Sequence, residues 1–296
     1  MDPKTYLLAA LLVVTVAFIA FWAGQLRRRR PAAGTNPGAG HVAIGFFTNF
    51  FDTLGIGSFA TTTTYYRLRR LVADQDIPGT LNVGHALPTV VQALIYITII
   101  QVDITTLILL IVASVAGSWI GATIVSGLPR AAIQRGMGVA LLAAAVLMVM
   151  TALNLLPLGG DALALGGGKL ILAFGITFVL GALMTLGIGA YAPIMIMVSL
   201  LGMNPTAAFP IMMGACAFLM PTASVQFIRK QRYDVRAAVG LGIGGVVGVP
   251  IAAYIVRSLP LAYVRWLVVV VVVYAAISLL RAAAATPESA AVDARN

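Results

Sequence analysis

Apolar residues dominate nine stretches of the chain, at about 6–25, 41–66, 80–101, 104–127, 131–156, 169–201, 205–228, 236–258 and 261–280. Polar residues, prolines and glycines gather in the short gaps between them. Inside each stretch the apolar positions run on without the alternation of a half-buried strand, so the pattern predicts helices and not a barrel of strands. A helix needs about 20 such residues to pass roughly 30 Å of hydrocarbon, and most of the stretches are that long. The prediction is an all-α polytopic membrane protein. Helix-start chemistry punctuates it at Asn204-Pro205, where an N-cap residue precedes a proline at the first helical position, and at Leu128-Pro129 and Leu259-Pro260.

Composition agrees with the pattern. With 60% hydrophobic residues, 9% charged residues and a mean hydropathy of +1.00, the chain is neither a water-soluble globule nor a disordered segment. The formal charge of +10 would raise nucleic acid for a soluble protein. Here it has a simpler source, because cytoplasmic loops of membrane proteins collect Lys and Arg during insertion, and no nucleic-acid partner is expected. A single cysteine, Cys216, sits in an apolar run, offers no disulfide framework and is read as a packing residue. Tyr6 to Gly24 is apolar and is followed by Arg27 to Arg30, the reverse of a cleaved leader, so it is expected to be a retained span with its C-terminal end in the cytoplasm.

The chain contains an internal duplication. Asp52-Thr-Leu-Gly-Ile-Gly57 matches Met184-Thr-Leu-Gly-Ile-Gly189 at an offset of 132 positions, and Gly117–Pro129 matches Gly248–Pro260 at 131. The organisation that follows is an N-terminal span at 1–30, a Gly/Pro-rich linker at 31–40, a first repeat at 41–156, an inter-repeat loop at 157–168, a second repeat at 169–285 and a disordered tail at 286–296.

Charge gives the expected orientation. Arg27 to Arg30 put the start of 41–66 in the cytoplasm, and Arg67, Arg69 and Arg70 put its end there too. A segment that begins and ends on one side does not cross. Broken at Gly55-Ile56-Gly57, it becomes a re-entrant hairpin of two half-helices of about 10 to 13 residues each, and 169–201 becomes the second hairpin. Each repeat then holds one hairpin and three crossings, an odd number, so the two repeats are inverted. The N-terminus lies outside and the C-terminus in the cytoplasm, and all but Lys4, Lys169, Arg257 and Arg265 of the 19 basic residues fall inside. Inverted repeats with paired broken elements are the architecture of secondary transporters, whose sites form where the breaks converge.

The Leu-Gly-Ile-Gly breaks at 54–57 and 186–189, the offset near 130, the Asn-Pro-Thr-Ala-Ala stretch at 204–208 and the overall length resemble the sulfite exporter TauE/SafE family of bacterial permeases. The resemblance covers about residues 41–280. It implies a multi-pass protein of the bacterial inner membrane that exports a small anionic substrate, sulfite or an organosulfonate, driven by an ion gradient. Ser58-Phe59 and Ala190-Tyr191 depart from the further glycines that other members carry after the break.

The chemistry of the breaks points to an anion independently. The second half-helix of each hairpin starts at the tip, where free N–H groups and the positive end of the helix dipole can hold an anion without a buried cation. Candidate substrate-binding residues are Asn49, Gly55, Gly57, Ser58 and Thr61 at the first tip, with Thr62 beside them, and Thr185, Gly187, Gly189 and Tyr191 at the second. The alternative is that the glycines only permit close helix packing. Asp52 and His85 are the costliest residues in apolar context and are the coupling candidates, for a proton or a sodium ion. Alternatively, Asp52 caps the tip amides and His85 bonds a backbone carbonyl. Gln92 and Gln226 either join helices or line the pathway. No metal and no cofactor is expected, and the partners are the bilayer, the coupling ion and, as a candidate, a second copy of the chain. Two other functions fit the same residues: a passive anion channel, and an intramembrane serine protease with a Ser58–His85 dyad.

Overall fold

A computed structural model describes residues 3–29, 34–54, 56–155, 159–187, 189, 191–255 and 262–285. They form eleven α-helices and no sheet: α1 (Pro3–Arg29), α2 (Ala39–Thr53), α3 (Ser58–Arg69), α4 (Ile77–Ile99), α5 (Ile104–Val125), α6 (Arg130–Ala152), α7 (Gly167–Met184), α8 (Tyr191–Leu200), α9 (Ala208–Arg229), α10 (Val235–Pro250) and α11 (Ala262–Ala285). Seven of them are long and apolar enough to cross a membrane, namely α1, α4, α5, α6, α7, α9 and α10, and α11 holds a further apolar stretch. The protein is a multi-pass membrane protein. The helices coincide with the nine apolar runs, and two runs are broken, one into α2 and α3, the other into α7 and α8. α2 starts at Ala39, inside the expected linker. The second pair is unequal, with 18 residues in α7 and 10 in α8. Pro205 opens a 3-10 turn ahead of α9, and Asn204 caps it by accepting from the Thr206 amide at 2.9 Å. After Pro250 the helix relaxes into a π-helical turn at Ile251–Ile255. The tail at 286–296, Gly55, and the Leu259-Pro260 helix start lie outside the described residues.

Helices in a membrane gain little from burying apolar surface against one another, so close approach of small residues decides which pairs form. Gly240, Gly244 and Gly248 make a seam on α10 that meets α2, and a methyl group on any of them would strike the backbone or Cβ of His41, Val42 or Phe46. Gly117 and Gly121 of α5 and Gly181 of α7 make the equivalent seam. The helix pairs come in matching sets. α2 packs on α10 and α7 on α5; α4 packs on α9, α6 on α11, α5 on α9 and α10 on α4.

The two ends of the bundle differ. At one end the rings of His41, where α2 begins, and Tyr66, where α3 finishes, lie 6.4 Å apart edge to face. Close by, Arg67 pairs with Asp74, Arg232 with Asp76, and Trp22 near the end of α1 donates to the Tyr233 hydroxyl at 3.1 Å. At the other end Lys169 in the first turn of α7 donates to the Leu201 carbonyl just past α8, 3.0 Å away. There the segment 159–165 lies along the start of α5 and along Met203-Asn204, held by backbone bonds Asp103–Leu163, Gly160–Met203 and Asn204–Ala162.

Candidate functional site

Both breaks open on one cavity. A central chamber of about 30 Å3, room for one or two waters, is lined by Asp52, Gly57 and Ser58 from the first break and by Met184 and Gly189 from the second. α4 contributes Thr89 and Gln92, α3 contributes Phe59, and α9 contributes Met212, Met213, Cys216 and Met220. The residues matched by the duplication, Asp52 with Met184 and Gly57 with Gly189, thus face the same space.

The glycines at the breaks differ from those in the seams. Among the described residues a Cβ added at Gly57 or Gly189 would meet no atom within 4 Å, whereas one added at Gly117, Gly181 or Gly244 would collide with backbone. Close packing explains the seams and leaves Gly57 and Gly189 unexplained. Gly187 has φ of +100°, a conformation that side chains disfavour, and it approaches Leu81, Thr63 and Met137. Gly55 lies outside the described residues.

Asp52 closes α2 and reaches across the break. Its Oδ1 accepts from the backbone N–H of Ser58, the first residue of α3, at 2.7 Å, and its Oδ2 accepts from Gln92 Nε2 at 3.0 Å. The carboxylate therefore sits at the N-terminal end of α3, the position that favours negative charge. Gln92 Nε2 also bonds Thr53 Oγ1 at 3.0 Å, and its buried Oε1 has no partner among the described residues. Among the described residues no Lys or Arg lines the chamber.

His85 stands behind this wall, fully buried. Its Nδ1 lies 2.9 Å from Asn49 Oδ1 and its Nε2 lies 3.1 Å from Thr62 Oγ1. Asn49 uses its Nδ2 to donate to the Gly45 carbonyl at 2.7 Å, so its Oδ1 is the acceptor, which assigns the proton to Nδ1 and makes Nε2 the acceptor for the Thr62 hydroxyl. A neutral imidazole satisfies both partners. With both nitrogens taken, His85 has none for Ser58, and the serine–histidine dyad does not form.

The other candidates are placed as follows. Asn49 is fully buried and serves His85 instead of lining the chamber. Thr61 donates back to the Gly57 and Ser58 carbonyls at 3.1 and 2.9 Å, and Thr185 donates to the Ala182 carbonyl at 2.6 Å, beside Gly121. Tyr191 opens α8, and its side chain lies outside the described residues. Gln226 does not line the chamber, while Cys216 does, donating to Met184 Sδ at 3.5 Å. The sulfur-rich wall from the second half carried no signal in the sequence, because methionines in an apolar run look like core. Among the described residues no group of three His, Cys, Asp or Glu side chains is arranged to hold a metal.

A bundle of apolar, membrane-spanning helices with two interrupted elements meeting at a small internal chamber is the build of a multi-pass membrane protein with a buried site. Residues 2–148 match the family model described as Sulfite exporter TauE/SafE, so this part of the chain is similar to a family of membrane transporters. No curated protein and no solved structure matches it.

Proposed function

We propose that the protein exports a small sulfur oxyanion or organosulfonate, such as sulfite, across the inner membrane of a bacterial cell, binding it near the midplane between the two glycine breaks and coupling its movement to a proton or cation through Asp52. One observation carries this reading: Gly57 and Gly189, the equivalent glycines of the two repeated strings, open on one chamber and on no packing contact among the described residues. Glycine at the start of a half-helix leaves the backbone amides accessible, and oriented amides hold an anion without a cation. Re-entrant hairpins are supported by the contact of His41 with Tyr66 and of Lys169 with Leu201, each joining the two outer ends of one broken element. Inversion of the repeats is supported by those two contacts lying at opposite ends of the bundle and by the matching sets of helix pairs. The arginine-rich end is the cytoplasmic one in this reading, with the N-terminus outside.

Asp52 gives the coupling its chemistry. The Asp52 carboxyl, bonded to the Ser58 amide, already occupies the α3 end of the anion site, and when ionised it repels an anion there. Substrate reaches those amides only after the carboxylate has been neutralised by a proton, has taken a cation beside it, or has swung away. Gln92, with a free Oε1, can follow such a change. A chamber with room for only one or two waters favours a carrier that must open to each side over a passive channel. The test is sulfite flux in proteoliposomes: accumulation against a sulfite gradient under an imposed pH or sodium gradient is expected, and flux that only dissipates the sulfite gradient would mean a channel.

A further inference from the structure

The chamber between the breaks is not the largest polar cavity. At the arginine-rich end a cavity of about 630 Å3 opens between α3, the turn after it, α6 and α11, a size suited to a sizeable ligand. Arg67, Arg70 and Arg130 line it, with Asp74 as the one acid among the described lining residues, which together carry a formal charge of +2. Asp74 is 4% exposed and its accepting capacity is already used. It takes two bonds from Arg67 at 2.7 and 2.8 Å, one from Gln134 at 2.7 Å and a long one from Arg130 at 3.4 Å. Among the described residues this long contact is the one side-chain bond of Arg130, whose side chain is 61% exposed, and Arg70 has no side-chain acceptor there. A guanidinium carries five donors in a planar fork that fits an oxyanion with two bonds. The wall therefore holds more cationic donors than it has acceptors.

The rest of the lining limits what the anion belongs to. Tyr274 and Ser278 of α11 supply hydroxyls, and Leu68 and Val72 supply apolar wall. Leu68, Tyr274 and Ile277 are exposed, which at membrane depth means facing acyl chains. A ligand that suits both surfaces has an anionic oxygen-rich head and an apolar tail.

We infer that this cavity is a binding site for the phosphate headgroup of an anionic phospholipid from the leaflet at the arginine-rich end, held by Arg67, Arg70 and Arg130 with its acyl chains along Leu68 and Ile277. Anionic lipid is attracted to basic residues at that depth. The site is independent of the substrate reading, but α3 joins the two: Ser58 in its first turn lines the central chamber and Arg67 in its last turn lines this one.

Native mass spectrometry of the purified full-length protein tests it, with phosphatidylglycerol and phosphatidylcholine of the same acyl chains added in parallel. Wild type is expected to retain one phosphatidylglycerol and to melt at higher temperature with it than with phosphatidylcholine. The double substitution Arg70→Gln with Arg130→Gln is expected to lower retention at least tenfold while melting normally in phosphatidylcholine nanodiscs. Arg69→Gln, an exposed arginine beside the cavity and outside its lining, should retain lipid as wild type does. Equal retention by wild type and the double variant would overturn the proposal. So would stabilisation by inorganic phosphate or sulfite equal to that by the lipid and lost in the same variant, which would assign the cavity to a soluble oxyanion.

Discussion

If Asp52 holds the position that the substrate anion must take, replacing it with asparagine should tighten anion binding and remove its pH dependence. Asp52 shares a chamber of about 30 Å3 with Gly57, Ser58 and Gly189, so a bound anion lies roughly 4 Å from the carboxylate. Two like unit charges that close repel by about 4 kcal/mol at an effective dielectric constant near 20, close to a thousandfold in affinity. An ionised Asp52 and a bound anion therefore exclude each other, and binding takes up one proton per anion wherever the free carboxylate is ionised. Affinity in wild type should then fall about tenfold for each unit rise in pH through that range, because one proton is linked to one anion. Asparagine keeps the shape and an oxygen for the Ser58 amide, and a flip of the Gln92 amide brings its unpartnered Oε1 to the new NH2 group. The fold should survive, and affinity should become flat with pH at or above the best wild-type value. The assay is calorimetric titration of the purified protein with a simple alkyl sulfonate, whose own charge is constant over the range. Wild-type binding that ignores pH, or an Asp52→Asn protein that binds more weakly, would refute the competition and leave Asp52 as a helix cap.

Gly57→Val and Gly189→Val should each abolish sulfite flux in proteoliposomes with little loss of thermal stability, since both point into open space, whereas Gly244→Val should lower the melting temperature by breaking the α2–α10 seam; wild-type flux in the first two would take the breaks out of the mechanism. Single cysteines at Gly40 and Leu71, in a protein whose own Cys216 is buried, should be labelled by a membrane-impermeant maleimide from the same side of oriented vesicles; labelling from opposite sides would mean that 39–69 crosses the membrane. Asn49→Leu should destabilise the protein by about 1–3 kcal/mol, because His85 Nδ1 loses its acceptor in a fully buried place; unfolding in mild detergent measures it, and an unchanged midpoint would show that the imidazole finds another partner.

The sequence by itself determined the membrane class, the positions of the helices and the two interruptions, because these depend on local properties: the length of an apolar run, a proline at a first turn, and paired glycines where no continuous helix is favoured. The two Thr-Leu-Gly-Ile-Gly strings were legible for the same reason, as a repeated motif. It also singled out Asp52, whose charge in an apolar context is costly wherever it lies. What the glycines do was not legible. Gly57 and Gly244 sit in equally apolar, glycine-rich strings, and only the neighbours brought by other helices make one an opening and the other a packing contact. Nor could the string show that His85 is held by Asn49, 36 positions earlier, and by Thr62, 23 positions earlier, which turns a relay candidate into a saturated pair of hydrogen bonds. Met212, Met213, Cys216 and Met220 read as core in an apolar stretch, and they became the wall of the chamber because α4 packs on α9 just where the breaks leave a gap. Tertiary structure decides such matters because a cavity belongs to no segment: it is the space that several helices, each satisfied on its own, fail to fill together.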